Sequence, residues 1–196
     1  KLYVVVNQSN VIEVVDKLTC ESITSIVPLN EAKEPQLPRF MVSQGGKVFV
    51  SLYDGHVAMI DTATMKIERQ VAVGPNPEGL AVSNGFLYVA NSDGLNWGNG
   101  YANGKSVSKI SLNDFTEVKR IDVAVNPYLV EADAEGNVAG EDHLVPGVDA
   151  LHIGGGVGLG IAQLLRLLQG FVIAQGQTGH GVEDVVAGAV HNAAHT

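Results

Sequence analysis

The sequence predicts an all-β fold built from a repeated unit of four short antiparallel strands. Three segments with the same apolar pattern open the successive copies, at residues 2–6, 48–52 and 87–91. In each copy a second strand ends in a turn with Asp or Asn and then Thr three positions later, at 16 and 19, 61 and 64, and 113 and 116. The threonines set a repeat of 45 and then 52 residues. Four strands in about 40–50 residues are typical of one blade of a β-propeller.

The other strands of each copy follow in a fixed order. A short Asp or Asn side chain can bond the backbone two residues on, so the shared turn predicts a hairpin. Third strands are predicted at 22–27, 67–73 and 118–123. A proline opens each fourth strand, at Pro38, Pro77 and Pro127, a position where no ladder N–H is needed. A glycine then turns the chain into the next copy.

Residues 77–91 closely resemble the YVTN repeat, whose core is a proline-led inner strand followed by Tyr-Val-x-Asn. They read Pro-Glu-Gly-Leu-Ala-Val-Ser-Asn-Gly-Phe-Leu-Tyr-Val-Ala-Asn. The resemblance covers about residues 1–138 and implies a partial ring of about three blades. Proteins of this kind are typically extracytoplasmic or belong to surface layers, so the resemblance also implies a place in the periplasm or at the cell surface.

The repeat stops after Val138, where an aromatic residue and Val are expected and Ala139-Gly140 follow. Residues 139–196 differ in composition: they contain no lysine, five of the six histidines and twelve of the 23 glycines. Apolar residues at helical spacing predict helices near 161–174 and 182–195. We therefore divide the chain into propeller blades at 1–138 and an atypical segment at 139–196. That segment is either a genuine divergent element or a fused or misread stretch.

Composition limits the partners. The 21 acidic and 12 basic side chains give a net charge of −9, which repels phosphate backbones, so nucleic acid is not expected as a partner. No transmembrane span is predicted, because the apolar stretch at 159–174 is short and contains Gln163, Arg166 and Gln169. Three blades leave unpaired strand edges, which predicts self-association through the incomplete ring.

A long insertion in the third copy is the main candidate for a binding site. Residues 92–105 stand where the second copy has only Tyr53-Asp54-Gly55, and they carry the only tryptophan of the chain. In a propeller this insertion and the proline-led turns are expected on one face, near the central channel. The predicted ligand-binding residues are Trp97, Tyr101, Asn96, Asp93, Tyr53, Asp54, Arg39, Glu78 and Tyr128. The alternative is that Trp97 and Tyr101 fold back to cover the neighbouring blade.

No metal site and no cofactor are predicted. Asp93, Asn96 and Asn99 lack the spacing of a calcium loop. His191 and His195 would share a helix face but lie at the chain terminus. The glycines at 154–160 lack the strand–loop–helix context of a dinucleotide site.

The sequence therefore favours a non-catalytic protein that binds a small molecule or a protein partner at the channel mouth. The resemblance also includes surface lipoproteins that take up ligands and seven-bladed lyases that use a metal and a channel-face histidine. His56 is the one histidine of the repeats, with no acidic cluster beside it in sequence, so the enzyme hypothesis ranks lower. A purely structural surface-layer protein is the third alternative.

Overall fold

The computed structural model describes residues 1–142 and 151–153 of the 196-residue chain, and for 141–142 and 151–153 the backbone only. These residues form strands, short turns and two 3₁₀ helices at Asn7–Ser9 and Trp97–Asn99, and none of their helices is long and apolar enough to cross a membrane. The strands are β1 Leu2–Val6, β2 Val11–Val15, β3 Ser22–Ile26, β4 Pro38–Gln44, β5 Lys47–Leu52, β6 His56–Asp61, β7 Lys66–Ala72, β8 Pro77–Ser83, β9 Phe86–Asn91, β10 Ser106–Ser111, β11 Thr116–Asp122, β12 Pro127–Ala132, β13 Val138–Asp142 and β14 Leu151–Ile153.

The strands form four antiparallel sheets in chain order, which confirms the predicted fold class. The sheets are β1-β2-β3, β4-β5-β6-β7, β8-β9-β10-β11 and β12-β13-β14. Each proline-led strand is the first strand of the following sheet, whereas the sequence pattern counted it as the fourth strand of the preceding copy. The described residues therefore hold two complete blades between two three-stranded sheets.

Strand β13 continues past the predicted boundary at residue 138. It pairs with β12 from Ala132↔Val138 to Pro127↔Asp142 and with β14 at Val138↔Ile153. The predicted helices near 161–174 and 182–195, the glycine run at 154–160, and His191 and His195 lie outside the described residues. The division at residue 138 stays a prediction.

Apolar side chains from facing sheets fill the space between successive blades. In β5, Val48, Val50 and Leu52 face the first sheet, and Phe49 between them faces the third. A third cluster around Val107 and Val130 joins the last two sheets. Because the second sheet packs on both faces, β5 is buried nearly throughout, which explains why it reads as a continuous apolar run.

The proline-led strands are the innermost strands and lie beside one another, β8 between β4 and β12. At Gly79 in β8 an added Cβ would stand 2.7 Å from the carbonyl oxygen of Tyr128 and 2.8 Å from the Cα of Leu129. Only glycine permits so close a backbone approach.

Asn91, the final Asn of the repeat motif, is fully buried at the end of β9. Its Oδ1 accepts a hydrogen bond from the backbone N–H of Gly74, which lies between β7 and β8, at 3.0 Å. Its Nδ2 donates to the hydroxyls of Ser106 (3.0 Å) and Ser108 (2.9 Å) in β10. A Cβ at residue 74 would come within 2.5 Å of the Asn91 side chain. The motif Asn thus joins the second blade to the third.

The outer turns correct the predicted alignment of the third copy. Cys20, Met65 and Phe115 all have positive φ, and their N–H groups donate to the carbonyl oxygens of Asp16, Asp61 and Ser111. Ser111, not Asn113, therefore occupies the Asp position, and the second repeat spans 50 residues rather than 52. The third turn is still closed by a side-chain hydrogen bond, because the carboxylate and the hydroxyl exchange positions. In the second turn Asp61 bonds Thr64, three residues later, whereas in the third turn Asp114 bonds Ser111, three residues earlier.

We expect Asn91→Ala to lower the free energy of unfolding by about 2–3 kcal/mol, because the buried Gly74 N–H and two serine hydroxyls lose their partner. Urea denaturation followed by circular dichroism measures the change. Asn113→Ala, at an exposed turn position, is the control and should cost less than about 0.5 kcal/mol. Equal losses would show that the Asn91 network does not stabilise the fold.

Asp61 makes stability depend on pH. Bonds from Lys47, and then from Thr64, hold the pKa of Asp61 well below its ordinary value of 3.8. A carboxyl with a lower pKa in the folded chain stabilises the fold above the unfolded pKa, and this contribution is lost as the pH falls below 3.8. The stability gap between wild type and Asp61→Asn should therefore be wider at pH 6 than at pH 3. Denaturation at both pH values checks this, with Asp122→Asn, at an exposed residue, as the control variant.

Candidate ligand site at the channel mouth

The candidate residues from the proline-led strands stand at equivalent places. Arg39, Glu78 and Tyr128 are the second residues of β4, β8 and β12. The loops that follow β5 and β9 reach the same face. Tyr53 N–H donates to the carbonyl oxygen of Leu37 at 2.8 Å, and Ser92 N–H to that of Asn76 at 3.2 Å. The structure thus places the insertion and the proline-led turns on one face.

Arg39 and Glu78 form a two-pronged ion pair between neighbouring blades. Arg39 Nε donates to Oε2 and Nη2 to Oε1, both at 2.9 Å. The side chain of Glu78 is 3% exposed and that of Arg39 is 26% exposed. The hydrogen bonds to Glu78 raise the pKa of Arg39, so its charge is permanent. Two of the three equivalent positions therefore pair with each other.

Tyr53 supports this ion pair from the next loop. The guanidinium carbon of Arg39 lies 4.7 Å from the centre of the Tyr53 ring, a cation–π contact. Burial, and then the carboxylate of Glu78, raise the pKa of the Tyr53 phenol, whose hydroxyl bonds Glu78. Tyr128 packs edge-on against Phe40, with ring centres 5.4 Å apart and an angle of 89°.

The insertion is held in place by its own base. Ser92 Oγ donates to the Asn76 carbonyl at 2.8 Å, and the fully buried Asp93 accepts bonds from the Asn96 amide and the Asn103 N–H. Gly94 passes over the site so closely that a Cβ there would lie 2.6 Å from the Tyr53 hydroxyl oxygen. The loop base therefore forms one wall of the Arg39 site.

The tip of the insertion points into solvent. Trp97 is 76% exposed and Leu95 is 64% exposed, while Tyr101 is half-buried. The alternative in which Trp97 covers the neighbouring blade is therefore wrong. A ligand in contact with both Arg39 and Trp97 would have to extend from the loop base to its tip.

The carboxylates of Asp54 and Asp93 are both hydrogen-bonded to other residues of the protein. Asp54 accepts a bond from the Gln36 amide at 2.7 Å and contacts His56 Nδ1 at 3.2 Å. Asp93 points inward to its own loop, where Asn96 and Asn103 occupy both carboxylate oxygens. Among the side chains that the structure describes, those of residues 1–140, no group of three His, Cys, Asp or Glu is arranged to hold a metal ion.

Sequence reasoning missed the residues that join these loops. Asn76 has a positive φ of 44°, and its amide donates to the Tyr53 carbonyl at 2.8 Å. Asn126, at the equivalent place, has φ 58° and donates its N–H to the Gly104 carbonyl at 2.7 Å. The recurrent Asn-Pro pairs at 76–77 and 126–127 were the available signal, since Asn tolerates left-handed backbone.

Comparison with solved structures shows the fold. The chain is similar to hydrazine synthase from Kuenenia stuttgartiensis, with a TM-score of 0.62 and 17% identity over 76% of this chain and 40% of that one. It is also similar to the WD40 β-propeller domain of Doa1, with a TM-score of 0.56 and 13% identity over 70% and 42% of the two chains. Dihydro-heme d1 dehydrogenase NirN in complex with DHE matches with a TM-score of 0.51 and 20% identity over 70% and 29%.

These similarities show that the chain has a β-propeller fold. At 13–20% identity they show the fold alone. The chain spans less than half the length of each of these structures. No protein-family model and no curated protein matches its sequence.

We expect Glu78→Ala to lower the free energy of unfolding by about 2–4 kcal/mol, because it leaves the Arg39 charge unpaired in a mostly buried place. Glu117→Ala is the matched control, since Glu117 forms a similar two-pronged pair with Arg120 on an exposed strand. Its loss should cost less than about 1 kcal/mol. Chemical denaturation of both variants measures the difference, and equal costs would refute a special role for the mouth pair.

Proposed function

We propose that this chain is part of a non-catalytic binding protein whose ligand enters at the mouth of the propeller channel. The observation that carries the proposal is the Arg39 guanidinium, fixed by Glu78 and Tyr53 where the innermost strands begin, under the base of a rigid insertion. Such preorganised polar groups beside aromatic rings are typical of binding sites, because little ordering is left to occur on binding.

The chemistry of the site selects a planar ligand with an acceptor atom. Two nitrogens of Arg39, Nε and Nη2, bond Glu78, and the Arg39 side chain is still 26% exposed. A ligand oxygen can accept a hydrogen bond from the exposed edge of the guanidinium, while a flat apolar group packs against the half-buried rings of Tyr53 and Tyr128. Because Glu78 neutralises Arg39, a multiply charged anion gains little here.

The location of the protein is part of the same proposal. The resemblance to YVTN repeats supports the periplasm or the cell surface, where a propeller of this kind would meet an external small molecule or a protein partner. The lyase alternative lacks a comparable observation, since His56 contacts Asp54 and no metal-binding trio is found among the side chains of residues 1–140.

Fragment mapping by NMR tests the proposal. We expect a panel of small aromatic carboxylates, amides and alcohols to cluster at Arg39, Tyr53 and Tyr128, and the fragments with an acceptor oxygen to bind best. Arg39→Lys should weaken them about tenfold, because a lysine cannot keep the two-pronged pair and still present a planar donor.

Arg120→Lys is the control, because it makes the same change in an exposed pair on β11. Fragments that cluster elsewhere on the propeller, or that bind Arg39→Lys as well as wild type, would refute the proposed site.

A further inference from the structure

Gly94 lies in the base of the insertion, where the chain passes over the Arg39 site. A Cβ at Gly94 would stand 2.6 Å from the Tyr53 hydroxyl oxygen, 3.0 Å from Ser92 Oγ and 3.7 Å from Glu78 Oε1. The first of these distances is too short for non-bonded atoms in a packed protein. The φ angle of Gly94 is outside the left-handed region, so the backbone itself does not require glycine here. The missing side chain therefore makes room for Tyr53.

The base of the insertion is held too firmly to move away from an added side chain. Ser92 N–H and Oγ both donate to the Asn76 carbonyl, at 3.2 and 2.8 Å, and Asp93 N–H donates to the Pro75 carbonyl at 3.1 Å. At the other end of the insertion, a Cβ at Gly104 would lie 2.1 Å from the Ser92 carbonyl oxygen. These contacts fix both ends of the insertion. A side chain at residue 94 would therefore displace the ring that faces it and not the loop.

The side chain of Tyr53 is the part that can yield. Its hydroxyl bonds the Glu78 carboxylate, and its ring centre lies 4.7 Å from the guanidinium carbon of Arg39. Rotation about the side-chain torsions moves the hydroxyl without breaking any backbone contact. Arg39 keeps its two bonds to Glu78 during such a rotation. The ring and the guanidinium would then separate, while the ion pair stays intact.

We propose that Gly94 is a specificity-determining residue of the Arg39 site, because it leaves the space in which the Tyr53 ring stays against the guanidinium. This inference rests on the proposed function, in which a ligand binds at Arg39. A flat ligand uses both the ring and the exposed edge of Arg39, whereas a puckered ligand of the same size gains little from the ring. The absence of a side chain at residue 94 therefore selects flat ligands over puckered ones.

A double-variant cycle measures the contact without any ligand. Gly94→Ala should lower the urea midpoint of unfolding, because Tyr53 loses its bond to Glu78. In the Tyr53→Phe background there is no hydroxyl to displace, so the same substitution should lower the midpoint only about one third as much or less. Gly98→Ala is the control in the same loop. Nothing lies within 4 Å of a Cβ at Gly98, so this change should not lower the midpoint.

NMR titration with two matched probes measures the selectivity. Benzamide and cyclohexanecarboxamide carry the same acceptor on a flat and on a puckered ring of the same size. The wild type should bind benzamide about fivefold more tightly at Arg39. Gly94→Ala should abolish this preference, whereas Gly98→Ala should keep it. Tyr53→Phe should keep it too, and should restore it when combined with Gly94→Ala, because the ring regains its place.

The two measurements separate failure of this inference from failure of the proposed function. Equal effects of Gly94→Ala with and without the Tyr53 hydroxyl would overturn the inference, as would a Gly94→Ala chain that still prefers benzamide. In both cases benzamide would remain bound at Arg39, so the proposed function would stand. If neither probe binds at Arg39 in the wild type, the proposed function fails and the specificity role of Gly94 fails with it.

Discussion

The backbone contact between neighbouring innermost strands is the constraint on which the rest of the structure depends. At Gly79 strand β8 approaches β12 so closely that no Cβ fits, and β4 lies on its other side. This spacing brings the second residues of the three proline-led strands together. Arg39 can therefore donate hydrogen bonds to Glu78 from both Nε and Nη2, although the two residues are 39 positions apart in sequence. The burial of the strands follows the same geometry: β8 is buried almost throughout between two neighbours, whereas β4 is mostly half-buried.

A second constraint explains why a motif specific for fold says little about function. The side chain of Asn91 makes three hydrogen bonds, to Gly74, Ser106 and Ser108, all inside the protein. The first two sheets lack this arrangement, since Val6 ends β1 and Leu52 ends β5. The residues that follow the motif take no part in this network. Ser92 and Asp93 instead anchor the insertion, so the insertion can lengthen without disturbing β9 or β10.

The sequence predicted the local features well because they rest on local chemistry. The strands, the prolines that open one strand of each unit and the shared face of the insertion all follow from turn residues and alternation, although the proline-led strands were assigned to the preceding copy. The third outer turn was misaligned, because Ser111 and Asp114 exchange the roles of Asp61 and Thr64, and a pattern search for Asp before Thr cannot see that exchange. The Arg39–Glu78 ion pair could not be predicted from the sequence either. Both residues were predicted to bind a ligand, and only the spacing of the blades shows that they neutralise each other.

The two faces of the propeller differ in the loops that form them. On the mouth face, loops of unequal length carry aromatic and amide side chains over the Arg39–Glu78 ion pair. Small changes in these loops can therefore alter the shape of the channel mouth without loosening the blades. On the opposite face, tight turns recur and leave a groove where the side chains of two blades do not meet.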